Sequence, residues 1–433
     1  MSGGVSTEAG SDREALEASL ARSTAGVSAP RRILLADADA FYVSVVRLLD
    51  PDGAGKEPLL IVGGSRESRG VVCSASYETR RFGVRSAMPI SQALRLCPQA
   101  MCVPIPRRAC SVKSREIRAV LERFTPTVET ASIDEWYLDL GGTEALYKGE
   151  PLHATAERMR RAVKDVTGLS ISVGGGTSKL IAKLAVERAK PKPDTSATGV
   201  CIVEPGSEAT FMSTVLLAEI PLIGPRFQDR LARLGMRSVP DVLQYERAKL
   251  TYWLGEREAA WLYDRVRGVD AAQVEARLEA KSISRDETFG TDIADHATLE
   301  RELFALVVRA TSDLRADGLA TRTITVRIRD SDFRTRQASR TLAEPVVWDR
   351  VVWGVARSLL GKLRAARRVP ARLLGVQLSS LADDPEADQL ALFEHPENDT
   401  VETSRDRALA RAVDTLREKF GSKGVVPGRL LES

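Results

Sequence analysis

Histidine and cysteine are scarce in this chain, at three and five among 433 residues. His153, His296 and His395 lie far apart, and Cys73, Cys97, Cys102, Cys110 and Cys201 form no CxxC pair. Zinc sites built from thiolates and imidazoles need such donors at short spacing, so one is excluded. Unpaired thiols in odd number also argue against a disulfide framework and for a reducing, cytoplasmic setting. No stretch approaches the roughly 18 consecutive apolar residues that a membrane helix requires. Aromatic residues are few, at 5%, but hydrophobic residues reach 43%, an ordinary globular content. At this length one core does not suffice, and roughly three or four modules are expected.

The formal net charge is only +4, but it is unevenly spread. Residues 281–380 carry 18 Lys/Arg against 12 Asp/Glu, an excess of six cations, while the remainder is slightly acidic. A basic module on a near-neutral body suggests contact with a polyanion, nucleic acid above all. The plainer alternative is an arginine-rich solvated surface. Residues 1–30, rich in Ala, Ser, Gly and Glu, read as a disordered leader with a transient helix near 14–22. Their acidic residues and lack of an apolar segment exclude a secretory signal.

From residue 31 the pattern alternates. Short apolar runs at 33–36, 58–64 and 70–76 read as strands, followed by a helix-rich stretch with a turn at Phe82–Gly83. Val112, Ile117, Val120, Leu121 and Phe124 have the spacing of an amphipathic helix over 111–124. ETASIDEWYLDL (129–140) reads as a strand, then a helix at 152–166, a strand at 169–173 and a helix at 178–189. This predicts a mixed α/β body over 31–200. Residues 205–270 read as short helices with turns at Gly224, Gly235 and Gly255, and 271–281 as a linker. Within 282–381, strands are expected at 323–333 and 372–381 and helices at 297–315 and 347–366. An acidic, proline-containing linker, the pentapeptide QLALF (389–393) and a helix near 402–420 complete the chain.

Two acidic clusters interrupt apolar strands, where an unpaired charge is costly. Asp37 and Asp39 stand two apart, on one strand face, and Asp134 and Glu135 are neighbours in the second cluster. Carboxylates gathered from separate strands repel unless cations neutralise them, and hard oxygen donors suit Mg²⁺. Two such ions about 3.5–4 Å apart serve in-line phosphoryl transfer. The alternative is that these acids pair with basic side chains or face solvent.

Set in order, DADAFYVSV, SYETRRFGVRSAMP, SIDEWYLDL and AKLAVERAKP resemble the motifs of Y-family translesion DNA polymerases, nearest to the bacterial DNA polymerase IV kind. IPLIGPRFQDRLARLG resembles the family's helix-hairpin-helix, and DETFGTD with TVRIRDSDFRTRQASRTL its little finger. The resemblance spans residues 31–381 and implies a right-hand polymerase, α/β and α+β, multidomain. It implies a palm over 31–40 and 106–197, fingers over 41–105, and a thumb over 198–270. A linker at 271–281 would lead to a C-terminal α+β little finger over 282–381, then a linker, clamp peptide and helix over 382–433. The implied activity is low-fidelity, template-directed DNA synthesis past lesions, by two-metal transfer from dNTP to a primer 3′-hydroxyl.

Residue by residue, Asp37, Asp134 and Glu135 match the metal carboxylates and the Ala38 carbonyl a backbone ligand for two Mg²⁺, with Mn²⁺ as a possible substitute. Asp39, an equal candidate from the strand pattern alone, falls outside that set. Tyr77, Arg80 and Lys190 match triphosphate contacts, and Tyr42 a dNTP-binding steric gate against the 2′-hydroxyl. For Asp134 and Glu135 to serve one site, the strand must bend or end between them, because strand neighbours point to opposite faces. Arg327, Arg329, Arg334, Arg336 and Arg340 fall in the little finger, where an edge strand would lay alternate arginines along primer-template DNA phosphates. Gln389, Leu390, Leu392 and Phe393 resemble a sliding-clamp peptide; the alternative is packing against the last helix. The expected protein is a monomer without a membrane segment.

Departures from the family pattern are Trp136 at a usually small position, Val46, Cys110, Ser178, Thr79, and Leu222 in place of a hairpin glycine. The rival readings are an inactive polymerase-like adaptor joining the clamp to other translesion factors and, more remotely, a nucleotide cyclase.

Overall fold

The structure, a computed structural model, describes residues 30–66, 69–191, 198–276, 280–383, 402–421 and 424–430. The expected leader and the QLALF peptide therefore lie outside the described residues, Pro30 excepted. The chain divides into two compact units, the first built chiefly from residues up to 277 and the second from those beyond.

In the first unit, β1 (Ile33–Ala38) is buried along its whole length and runs into α1 (Phe41–Leu49). The turn between them passes through Ala40, a non-glycine residue in the left-handed region (φ 45°). β2 (Leu60–Gly63), β3 (Val72–Ala75) and β4 (Met101–Pro104) form a small sheet in the order β3-β2-β4, antiparallel then parallel. The short helix α2 (Tyr77–Arg80) leaves β3, its N-terminus capped by the Ser76 hydroxyl. Helix α3 (Arg107–Leu121) leads to a hairpin of β5 (Val128–Thr130) and β6 (Glu135–Asp139). After α4 (Leu152–Thr167), β7 (Ile171–Gly176), α5 (Lys179–Ala189) and β8 (Val200–Ile202) follow.

These strands make a five-stranded sheet, β5-β6-β1-β7-β8, antiparallel except for the β7/β8 pair. Its centre is β1, so Asp37 stands opposite Glu135 on one side and Ser172 on the other. One core lies between the sheet and α1, α3 and α4, with Phe41, Val45, Ile117, Leu121, Met159 and Trp136 among its members. Helix α1 also turns Val43 and Val46 toward Leu60 and Val62 of the small sheet, so it serves two cores. On the opposite face α5 lies very close to β7. A Cβ at Gly174 would come 2.1 Å from the Val186 nitrogen, so only glycine permits this approach.

Helices α6 (Glu208–Ser213), α7 (Pro225–Arg233), α8 (Val239–Leu243), α9 (Arg247–Leu254) and α10 (Glu256–Arg265) form the expected small helical module. Its core includes Leu180, Leu184, Ile220, Leu231 and Leu262, so α5 is shared with it. Leu222 is 83% exposed and held at φ 73°, a strained position for a side chain bearing a Cβ.

The second unit contains β9 (Ser282–Ile293), α11 (His296–Ala316), β10 (Leu319–Asp330), β11 (Thr335–Val346), α12 (Asp349–Ala366), β12 (Ala371–Asp383) and α13 (Ser404–Phe420). Its antiparallel sheet runs β11-β10-β12-β9. One face, with Ile324, Val326, Ile328, Leu374 and Val376, packs on α11 and α12. The alternate residues Thr323, Thr325, Arg327 and Arg329 point the other way.

This register corrects the expectation of an arginine-lined edge strand. Arg327 and Arg329 lie on β10, an inner strand. Arg336 does lie on the edge strand β11, but it pairs with Ile328 and so shares the helix-covered face. There its guanidinium binds the fully buried Asp330 (Nη2 to Oδ1, 3.0 Å), which Arg367 also engages. A buried carboxylate demands such partners, which occupies Arg336 internally. Arg334 sits in the β10/β11 turn beside Asp332, and Arg340 is exposed.

Candidate active site

The first cluster is built by strand geometry. Asp37 is the penultimate residue of the buried β1 and is 5% exposed. Asp39 lies just beyond the strand, and its carboxylate accepts the hydroxyl of Ser172, the cross-strand partner of Asp37, at 2.7 Å. Asp39 thus stays on the Asp37 side, as alternation predicts, but Ser172 engages it and it does not line the cleft.

The second cluster meets the geometric demand made of it. Strand β6 begins at Glu135, and Asp134 occupies the preceding bend, where Ala131 and Ser132 N–H groups both donate to the Glu135 carbonyl. The two neighbouring carboxylates are thereby freed from opposite-face alternation. The Asp134 carboxylate accepts the Ser132 hydroxyl at 2.5 Å, its N–H donates back to that hydroxyl at 3.3 Å, and its carbonyl accepts the Ala38 N–H at 2.9 Å.

A single cleft of about 460 Å³ gathers eight of the expected residues. Asp37, Ala38, Asp134 and Glu135 line one part of its wall, and Tyr42, Tyr77, Arg80 and Lys190 another. Tyr42 stands edge-on to Phe41, ring centroids 5.5 Å apart, and Phe41 itself is buried in the core. Arg80 donates Nε to the Ala75 carbonyl at 3.0 Å, and its guanidinium carbon lies 4.9 Å from the Tyr77 ring centre. Burial, then the nearby Asp39 charge, pushes the Tyr77 hydroxyl up to about 12, so it remains a neutral donor.

The carboxylates are balanced by lysines of α5 and its end. Lys190 Nζ lies 2.8 Å from Asp37 Oδ2 and 2.6 Å from Glu187 Oε1, and Lys183 Nζ binds Glu135 Oε1. Burial pushes the Asp37 carboxyl up to about 7 in spite of Lys190, with the Glu135 charge acting in the same direction. Burial also raises Glu135, but Lys183, a hydrogen bond with Asp37 and Lys190 outweigh it and leave Glu135 below the usual range. For Lys190 burial opposes the ammonium, and Asp37 and Glu187 more than restore it. Among the described residues no three His, Cys, Asp or Glu form a ready-made metal cage. Lysines instead pair with Asp37 and Glu135, and Ser132 with Asp134. The donor set itself, carboxylates beside a backbone carbonyl, is the hard-oxygen chemistry that Mg²⁺ takes.

Trp136 does not narrow the cleft. It is fully buried on the reverse face of β6, and its indole N–H has no hydrogen-bond partner. Thr79 and Ser178 are likewise structural: Thr79 is buried against Ser76 (2.8 Å between hydroxyls), and Ser178 caps α5. Lys183, Arg85 and Cys73 escaped the sequence reading, although the latter two line the cleft and Lys183 touches Glu135. A signal for Lys183 existed, since it stands four residues after Lys179 and seven before Lys190 on one helix face.

Residues 36–187 match the impB/mucB/samB family and residues 280–392 its C-terminal domain. The chain is 35% identical over 399 residues to the DNA polymerase IV of Dehalococcoides mccartyi strain BAV1, covering 92% of this chain and 97% of that protein. It is 37% identical over 351 residues to the DNA polymerase IV of Halorhodospira halophila, covering 81% and 95%. A chimeric Y-family DNA polymerase superposes with a TM-score of 0.71 at 24% identity, covering 81% of this chain and 98% of that one. The crystal structure of DinB from Sulfolobus solfataricus gives 0.54 at 25% identity, covering 80% and 98%. The chain belongs to the impB/mucB/samB family, the Y-family DNA-directed DNA polymerases of the DNA polymerase IV kind.

Proposed function

We propose that this protein copies primed DNA past damaged bases, transferring a nucleotidyl group from a dNTP to the primer 3′-hydroxyl with low fidelity. The observation that carries the reading is the gathering of three acids, two tyrosines, an arginine and a lysine in one cleft. The palm is assigned to 31–40 and 106–197, the fingers to 41–105, the thumb to 198–270 and the little finger to 282–381.

Asp37, Asp134, Glu135 and the Ala38 carbonyl would hold two Mg²⁺, or Mn²⁺, which lower the primer hydroxyl's pKa and stabilise departing pyrophosphate. Asp134 accepts the Ser132 hydroxyl through Oδ1 alone, and its second carboxylate oxygen is the one it would offer to that set. Lys190 is already shared between Asp37 and Glu187. It can therefore turn to a triphosphate when another cation neutralises Asp37. Arg80 offers a planar donor fork, anchored through Nε. Tyr77 presents its neutral hydroxyl alongside. Tyr42 closes the floor under the sugar. Exclusion of water around these groups strengthens each electrostatic contact.

The open face of the second unit's sheet suits a DNA backbone. Arg327 and Arg329 project from it among hydroxyls, with Arg329 Nε on Thr335 Oγ1 at 2.9 Å. Hydroxyls and arginines that contact phosphates bind without reading sequence. Arg329→Ala should lower DNA affinity and reduce the salt slope by about one while leaving the melting temperature unchanged. Arg336→Ala should instead destabilise the fold by roughly 2 kcal/mol, because Asp330 loses a buried partner. Salt-dependent binding and thermal melts of both variants separate the two roles.

The clamp is a further proposed partner, through Gln389, Leu390, Leu392 and Phe393, and the polymerase is proposed to act as a monomer. All five cysteines are free of disulfides, which suits the cytoplasm. No helix of the described residues is long and apolar enough to cross a membrane. A non-catalytic adaptor has no use for three intact carboxylates in a cleft with triphosphate-type cations. Primer extension by the pure protein with Mg²⁺ and dNTPs tests the reading. Template-dependent incorporation supports it, and DNA binding without incorporation overturns it.

A further inference from the structure

We infer that Lys183 is a positioning residue that holds Glu135 against Asp37 and limits how tightly the carboxylate cluster binds a divalent cation. This rests on the polymerase reading above and names a residue which that reading does not use.

Helix α5 carries a stripe of three lysines, at 179, 183 and at 190 just past its end, and each meets an acid on the neighbouring sheet. Lys179 Nζ binds both Glu129 oxygens (2.6 and 2.7 Å), Lys183 binds Glu135, and Lys190 binds Asp37 at 2.8 Å. Spacings of four and seven residues put all three on one face. The stripe reaches the acids because α5 sits tight on β7 over Gly174.

The three pairs differ in surroundings, and so in what they can do. Glu129 is 6% exposed, lies outside the cleft and also accepts the Glu275 N–H at 2.9 Å, so the first pair is a structural staple. Lys190 lines the cleft and has a second acid, Glu187, to fall back on. Lys183 does neither. It does not line the cleft, and it reaches Glu135 through one oxygen, Oε1.

Glu135 needs such a holder. It stands across from Asp37 in the strand register and next to Asp134 in sequence. Like charges at that separation drive side chains apart unless a cation lies beside them. Lys183 supplies that charge from outside the cleft lining and keeps Glu135 aimed at the same place as Asp37. The same positive charge opposes any divalent cation bound in front of it.

Removing the charge therefore moves two readouts in opposite directions. In the full-length protein, Lys183→Met should bind Mn²⁺, followed by electron paramagnetic resonance, at least about tenfold more tightly, since one opposing charge is gone. In primer extension with Mg²⁺ its kcat should fall at least about tenfold, with the dNTP KM changed less than about threefold, because Glu135 is no longer aimed. Lys183→Arg, which keeps the charge, should restore both to near wild type. A lower melting temperature with Mn²⁺ affinity and kcat unchanged would make Lys183 a structural residue and overturn the inference. Weaker Mn²⁺ binding in Lys183→Met would overturn it as well. Should Lys183→Met not fold by circular dichroism, Lys183→Gln carries the same comparison. Wild-type Mn²⁺ binding that Asp37→Asn leaves untouched would overturn the carboxylate site itself. Loss of binding in Asp37→Asn with no response to Lys183→Met would overturn only the role of Lys183.

Discussion

Asp37→Asn should reduce primer extension by at least about a thousandfold, while affinity for primed DNA stays within about threefold of wild type. Asparagine keeps the shape of the side chain and one oxygen but removes the charge. Asp37 is central to the cluster: it pairs with Glu135 across β1/β6, is almost wholly buried, and is the partner of Lys190. Its loss removes a cation ligand and also frees Lys190 to stay on Glu187. DNA affinity is proposed to come from the open sheet face of the second unit, so it should be spared. Single-turnover extension beside fluorescence-anisotropy binding measures both quantities. Retained turnover would show that Asp37 holds no essential cation, and joint loss of binding and folding would point to a structural role.

Tyr42→Ala should relax discrimination against ribonucleotides by on the order of a hundredfold or more, with dNTP incorporation changed far less. The argument is steric. Tyr42 lines the cleft and is backed edge-on by Phe41, which is locked in the core. A ring so supported does not swing aside to admit a 2′-hydroxyl. Burial, then the Asp134 charge, raises its phenol above the ordinary value, so the group remains neutral throughout the working pH range. Competition between rNTP and dNTP opposite the same template base gives the selectivity ratio. An unchanged ratio would assign exclusion of the 2′-hydroxyl to another side chain.

Several elements were legible from pattern alone. Apolar runs marked β1, β2 and β3, and helical spacing marked α3, α4, α5, α11 and α12, with ends displaced by a few residues. The strands β9 and β11 were not, apart from family-like motifs, because both are outer strands rich in polar residues and carry little apolar alternation. The paired acids were visible as charges misplaced in apolar strands. That Asp37, Asp134 and Glu135 line the cleft while Asp39 does not was not visible, because Ser172, which claims Asp39, comes from a distant strand. Arg336 illustrates the same limit from the other direction, its partner Asp330 being fully buried.

Residue types and their order, then, determined the chemistry available here: hard oxygen donors, cations fit for phosphates, aromatic rings at the site and a basic module. Tertiary structure alone decided which of these meet. A carboxylate's role depends on what lies within a few ångströms of it, and those neighbours come from strands and helices far apart in the chain. Lys183 is the clearest case: its spacing from Lys179 and Lys190 could be read, but its partner Glu135 appears only when α5 settles over Gly174.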